Sequence, residues 1–156
     1  MKAGGNLITN IFKTSSKINV MLMEPGIDMN KKKKTVLIVD DEEMILDIED
    51  LMLQRSGYNT LKASNSAEAC RVYDDEKDNI DLVVLDVIMP DENGTTTYRR
   101  LKRINPDIRV LISTGWGSDR NIEEILSDRH NGFIQKPFKF KEFINKIDAI
   151  LPKNFS

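Results

Sequence analysis

Five short apolar runs, at residues 36–39, 59–63, 82–85, 110–112 and 133–134, recur along the chain at intervals of roughly 20 to 30 residues. This rhythm limits the possible folds more than any other feature. The three strongest runs are rich in Val, Ile and Leu without polar alternation, the pattern of strands buried on both faces of a parallel sheet. Between the runs lie segments with helical spacing: Met44, Ile45, Ile48, Leu51 and Met52; Ala69, Cys70 and Tyr73; Tyr98, Leu101 and Ile104; Ile122, Ile125 and Leu126. A fifth segment carries Phe140, Phe143, Ile144, Ile147 and Leu151. Stop signals agree: Gly57 follows the first helix, Asn105-Pro106 the third and Pro152 the last. The expected architecture is α/β, a doubly wound (βα)5 sheet with right-handed crossovers covering both faces.

A chain of 156 residues, 40% apolar and 31% charged, can build one ordinary core and is short for two. One domain plus an appendage is expected. The net charge of −2, with acids and bases interspersed, gives no reason to expect nucleic acid or an anionic membrane as the main partner. Cys70 is the single cysteine, so no internal disulfide framework exists, and no second thiol or histidine cluster offers a zinc site. No apolar run approaches the ~18 residues of a membrane span, and Met1-Lys2-Ala3-Gly4-Gly5 lacks the apolar stretch of a secretory signal. The expected location is cytoplasmic, with no membrane contact.

In a doubly wound sheet, ligands sit beyond the carboxyl ends of the strands, where the strand order reverses. The chemically interesting residues should therefore follow the apolar runs. Asp40 and Asp41 follow the first, Asp86 ends the third, Thr114 ends the fourth, and Lys136-Pro137 follow the fifth. Three carboxylates gathered at a sheet edge resist joint ionisation unless a cation is present. Magnesium suits such a site, because it takes a few carboxylate oxygens and leaves positions open for phosphate. An ionised Asp86 can then attack phosphorus in line, with Lys136 neutralising one phosphoryl oxygen and the Thr114 hydroxyl donating to another. Gly115 leaves room for the phosphoryl group to approach.

On these residues the chain resembles the receiver domain of two-component response regulators, which has the flavodoxin-like fold with strand order 2-1-3-4-5. The motifs are Val39-Asp40-Asp41-Glu42, Leu85-Asp86-Val87-Ile88-Met89-Pro90 with Gly94, Ser113-Thr114-Gly115 and Lys136-Pro137-Phe138. They cover about three quarters of the chain, in family order and spacing. The resemblance implies Asp86 as phosphoacceptor, Asp41 as direct Mg2+ ligand, Asp40 as a ligand through water, and the backbone carbonyl of Ile88 as a further ligand. It also implies Thr114 as the switch hydroxyl, Phe133 as the switch aromatic, and a cis peptide between Lys136 and Pro137. The expected partners are a histidine kinase or histidine phosphotransfer protein, and an unidentified downstream protein that reads the face made by the fourth helix, fifth strand and fifth helix. Ile88 and Trp116 are bulky and apolar where small polar residues are commoner, which predicts slowed hydrolysis and a longer-lived phosphorylated state.

Plainer readings stand beside these. Asp40-Asp41 alone would serve as a helix cap, Thr114 as a strand end and Phe133 as core. Cys70 reads as a small buried hydrophobe, His130 as solvated rather than a phosphodonor, and Lys31 to Lys34 as a solvated linker. The receiver is expected over residues 35–153. Residues 1–34 form an N-terminal extension. Segments 7–12 and 18–23 read as two short strands that weakly resemble the closing hairpin of a histidine kinase ATP-binding domain. A loosely docked extension is the alternative. The glycine-rich lid of such kinases is absent. Two other functions compete: a phosphorylation-independent interaction scaffold, and a phosphotransferase of the haloacid dehalogenase type. The latter needs Asp-x-Asp, and Asp86-Val87-Ile88 lacks the second acid. The chain is thus expected to be no enzyme beyond its own phosphorylation and dephosphorylation.

Overall fold

A strand that is apolar on both sides needs a layer on each side, and the elements of this chain alternate so as to provide both. The computed structural model describes residues 32–90, 92–115 and 122–151. In chain order the elements are β1 (Thr35–Val39), α1 (Glu43–Arg55), β2 (Asn59–Ala63), α2 (Ser66–Glu76) and β3 (Ile80–Leu85). Then come α3 (Gly94–Ile104), β4 (Val110–Thr114), α4 (Ile122–Leu126), β5 (Gly132–Gln135) and α5 (Phe140–Ile150). The strands pair in parallel in the order β2-β1-β3-β4-β5, as expected. The order reverses between β1 and β3, so the crevice that can receive a ligand opens there.

The two faces of the sheet carry two cores. Val36, Ile38, Leu82, Val84 and Leu111 pack with Leu46 and Leu53 of α1 and with Phe143 and Ile147 of α5. Leu37, Val39, Val83, Leu85, Val110 and Ile112 face the other way, against Ala69 and Tyr73 of α2, Tyr98 and Leu101 of α3 and Ile125 of α4. Burying each Val, Leu or Ile stabilises the fold by about 1.5–3 kcal/mol relative to exposure, so continuous apolar strands are what makes a two-sided core affordable. At the amino ends of the central strands, the Asp81 carboxylate accepts from Lys34 Nζ and from the backbone N–H of Thr35, both at 2.9 Å, and ties the start of β1 to β3.

Helix termini follow local chemistry. The Asn65 side chain accepts from the Glu68 N–H at 2.9 Å to start α2, and Asn93 accepts from the Thr95 N–H at 2.8 Å to start α3. Gly57 ends α1 with φ +89°, a left-handed conformation that favours glycine. One expectation is refined. Met44, Ile48 and Leu51 mark α1 as a helix, yet they are exposed, and the buried residues of α1 are Leu46, Glu49 and Leu53. The stripe's spacing identified the helix but not the side that meets the sheet. The hairpin expected in residues 1–34, Trp116 and the Pro152 stop lie outside the described residues, apart from 32–34. Among the described residues no helix is long and apolar enough to cross a membrane.

Candidate functional site

The parallel register brings the ends of β1, β3, β4 and β5 together. Asp86 leaves β3 with its backbone N–H donating to Val39 O of β1 at 2.9 Å, and Lys136 leaves β5 with its N–H donating to Thr114 O of β4 at 2.8 Å. Continuation of the ladder past the strand ends thus sets both functional side chains relative to their neighbours. The Lys136-Pro137 peptide is cis, as the resemblance implied.

Asp86 is nearly buried, with 7% of its surface exposed, and both carboxylate oxygens are held. Oδ1 accepts from the Ile88 N–H at 2.8 Å, and Oδ2 lies 3.0 Å from Lys136 Nζ. The same ammonium bonds to Asp40 Oδ2, while Asp40 Oδ1 accepts from the Glu42 N–H at 2.8 Å. Burial pushes the Asp86 carboxyl up from its ordinary value, outweighing the Ile88 N–H and Lys136. Burial also works against the Lys136 ammonium, but Asp40 and Asp86 prevail and hold it above its ordinary value.

Asp40, Asp41 and Asp86 each present an oxygen within 4.8 Å of the others, two from buried residues and one, Asp41, from an exposed one. Hard oxygen donors with an open side suit Mg2+ better than a soft metal. Thr114 is fully buried, and among the described residues its Oγ1, like those of Thr95 and Thr97 in α3, has no hydrogen-bond partner. An orphan buried hydroxyl costs stability and calls for an explanation. A phosphoryl oxygen arriving at the strand ends would supply its acceptor. Ile88 is half exposed beside the site, and Phe133, paired with Ile112 across β4 and β5, is half-buried against the α3–α4 core. The structure therefore brings together Asp40, Asp41, Asp86, Thr114 and Lys136, with Ile88 at the rim. The plainer readings are consistent with Cys70, half-buried and pushed up by burial, and with exposed His130, whose Nδ1 lies 3.0 Å from Asp128 Oδ1.

Sequence reasoning passed over Glu49. It is 2% exposed on the sheet side of α1, and Ser113 Oγ donates to its Oε1 at 3.4 Å. Burial raises its carboxyl to about 7, with Lys136 acting in the opposite direction. It also lines a cavity of about 640 Å³ with Ile45, Ile48, Ile88, Lys136 and Phe138, next to Asp86. The signal was an acid at the helical spacing of Leu46 and Leu53, legible only once the inner side of α1 was known.

The response regulator receiver domain family matches residues 36–148. The chain is 32% identical over 119 residues to the sensor kinase CckA of Brucella abortus, an alignment covering 76% of this chain and 13% of that protein. It is 28% identical over 145 residues to the autoinducer 1 sensor kinase/phosphatase LuxN of Vibrio campbellii, covering 93% of this chain and 17% of LuxN. The chain thus spans under a fifth of the length of these two curated relatives. The CheX-CheY-BeF3-Mg2+ complex of Borrelia burgdorferi contains a similar structure, at TM-score 0.70 and 25% identity, covering 77% of this chain and 90% of that one.

Proposed function

As the chain belongs to the response regulator receiver family of two-component signalling, we propose that it is a phosphoacceptor switch in which Asp86 takes a phosphoryl group from the phosphohistidine of a histidine kinase or phosphotransfer protein. The observation that carries this reading is the doubly anchored, buried Asp86 carboxylate, 3.0 Å from Lys136 and within 4.8 Å of Asp40 and Asp41 oxygens. Asp40, Asp41, Asp86 and the Ile88 carbonyl hold Mg2+, which neutralises charge on the transferring group when bound. The Oδ–P bond at Asp86 forms as the donor's P–N bond breaks, and the imidazole leaves with the electron pair. Lys136 turns from the carboxylates to a phosphoryl oxygen, and Thr114 Oγ1 donates to another. Thr114 then moves toward the site, Phe133 turns inward beside α4, and the surface of α4, β5 and α5 changes for a downstream protein. Ile88 and Trp116 slow the approach of hydrolytic water.

The cation reading has support from the CheY complex, which is described as containing BeF3 and Mg2+. Residues 1–34, ahead of the receiver over 35–153, fit the part of a sensor kinase that precedes an attached receiver. In favour is the LuxN alignment, since any 145-residue span of this chain includes residues 12–145. The test is incubation with acetyl phosphate and Mg2+ followed by intact-protein mass spectrometry. One phosphoryl group is expected on the wild type and none on Asp86→Asn. Labelling that persists in Asp86→Asn, or in excess chelator, contradicts the assignment.

A further inference from the structure

Lys136 is the one cation that the described residues place at this site, and its ammonium bonds to both Asp40 and Asp86. Those two carboxylates are also candidate cation ligands. A divalent ion and an ammonium cannot share the Asp40 oxygens without strong repulsion at such short range. Before any phosphoryl group arrives, Lys136 then needs another acceptor, because an ammonium stranded in a mostly buried position is costly. The Lys136 side chain is only 17% exposed, so water cannot fully take that role.

Two further carboxyls face the same space, Glu42, which is exposed to solvent, and Glu49, which is buried. Glu49 lines the cavity that also contains Lys136 and Asp86. The anchor points of the two residues are consecutive on β4: the Lys136 N–H donates to Thr114 O at 2.8 Å, and Ser113 Oγ donates to Glu49 Oε1 at 3.4 Å. That serine bond is at the long limit and, among the described residues, is the one hydrogen bond to the Glu49 side chain, which leaves the carboxyl under-partnered for a residue 2% exposed. The apolar walls from Ile45, Met52 and Phe138 supply no competing donor.

We propose that Glu49 is a positioning residue that receives the Lys136 ammonium when a divalent cation takes the Asp40 carboxylate. It rests on the metal-site reading given above and adds a step to it: Lys136 moves from Asp40 to Glu49 when the cation binds, then from Glu49 to the phosphoryl oxygen. The shift needs only side-chain rotation, since the Lys136 backbone stays fixed to Thr114. Glu49 is held near the midpoint of its ionisation by burial, with Lys136 as the main opposing influence, so a nearer ammonium would draw it into the charged form.

The test is a double-mutant cycle on Mg2+ affinity in the full chain, read by two-dimensional NMR from the amide shifts of Val87 and Ile88. Glu49→Gln should weaken Mg2+ binding about three- to tenfold in the wild-type background and leave it unchanged in Lys136→Met, since coupling requires both partners. Glu49→Leu should weaken binding to the same degree while raising thermal stability in metal-free buffer, a combination that a merely structural role does not produce. Equal weakening in both backgrounds would mean that Glu49 attracts the cation directly, and would overturn the proposal alone. So would an unchanged affinity in Glu49→Gln. Absence of any Mg2+-induced shift in the wild type would overturn the metal site, and the relay with it.

Discussion

Gly94 shows how closely the loop after β3 and α3 approach each other. A Cβ there would lie 2.4 Å from Val87 Cα and 2.6 Å from Asp86 O, and backbone atoms cannot yield as a flexible side chain can. Gly94→Ala should cost about 2 kcal/mol or more in urea unfolding and should lower the rate of labelling by acetyl phosphate, since the displaced atoms belong to Asp86 and its neighbour. Unchanged stability would mean that the loop has slack. Glu49 makes a second residue-scale prediction, about pH. It faces Lys136, Asp40, Asp86 and Ser113, and its folded value of about 7 stands above the ordinary 4.5. The folded state therefore keeps a proton that the unfolded chain releases between these limits. Stability falls as pH rises from 4.5, and the loss is complete above about 7. In chelator, Glu49→Gln should match the wild type near pH 4.5 and exceed its stability by about 2–3 kcal/mol at pH 8. A gap that does not change with pH would show that the carboxyl is not held protonated.

Among the elements, α4 is the shortest helix described, at five residues, and it forms part of the proposed output surface. Its ion pairs contribute little. Arg99 and Glu124 are each about half exposed, and exposed pairs are typically worth about 0.2–1 kcal/mol. Burial of Ile125 and the side chain of Asn131 hold it instead. Asn131 Nδ2 donates to Ile125 O at 2.9 Å and to Tyr98 Oη at 3.2 Å, while its Oδ1 accepts from the Val110 N–H at 2.8 Å. One amide thus joins α4, α3 and β4. Asn131→Ala should cost about 2–3 kcal/mol, because it takes away the Asn131 acceptor of the Val110 N–H and leaves the Ile125 carbonyl with only the long 3.4 Å bond from the Asp128 N–H. Amide exchange over residues 122–131 should quicken more than the global loss accounts for, as read by hydrogen-exchange mass spectrometry. Uniform acceleration across the chain would show that α4 opens only with the whole fold. This latch was illegible in the sequence, because the partners of Asn131 lie 6, 21 and 33 positions away on three different elements. By contrast, Asn65 and Asn93 act locally, each capping the helix that follows it.

Across the whole molecule, the proposed signal carries a change at Asp86 to the surface of α4, β5 and α5, with Thr114 and Lys136 as the proposed links. Thr114→Ala and Lys136→Ala should still accept some phosphoryl group, yet show much smaller amide shifts over residues 122–126 and at Phe133 when beryllofluoride and Mg2+ are added. Such a switch needs only a few kcal/mol of differential interaction between two states. Full wild-type shifts in both variants would mean that Phe133 is plain core and that the signal takes another route. The sequence alone determined the number and order of elements, because continuous Val, Ile and Leu runs can be buried only between two layers. It also determined which residues stand at the strand ends, because a parallel sheet sends every carboxyl end to the same edge. Only the tertiary structure decided which side of α1 meets the sheet. Helical spacing marks a stripe, and packing geometry selects Leu46, Glu49 and Leu53 over exposed Met44, Ile48 and Leu51. Only it paired Lys136 with Asp40 as well as Asp86, and only it left Thr114 Oγ1 without a partner among the described residues. Contacts between residues 50 to 96 positions apart depend on where strands end in space, which no local pattern encodes.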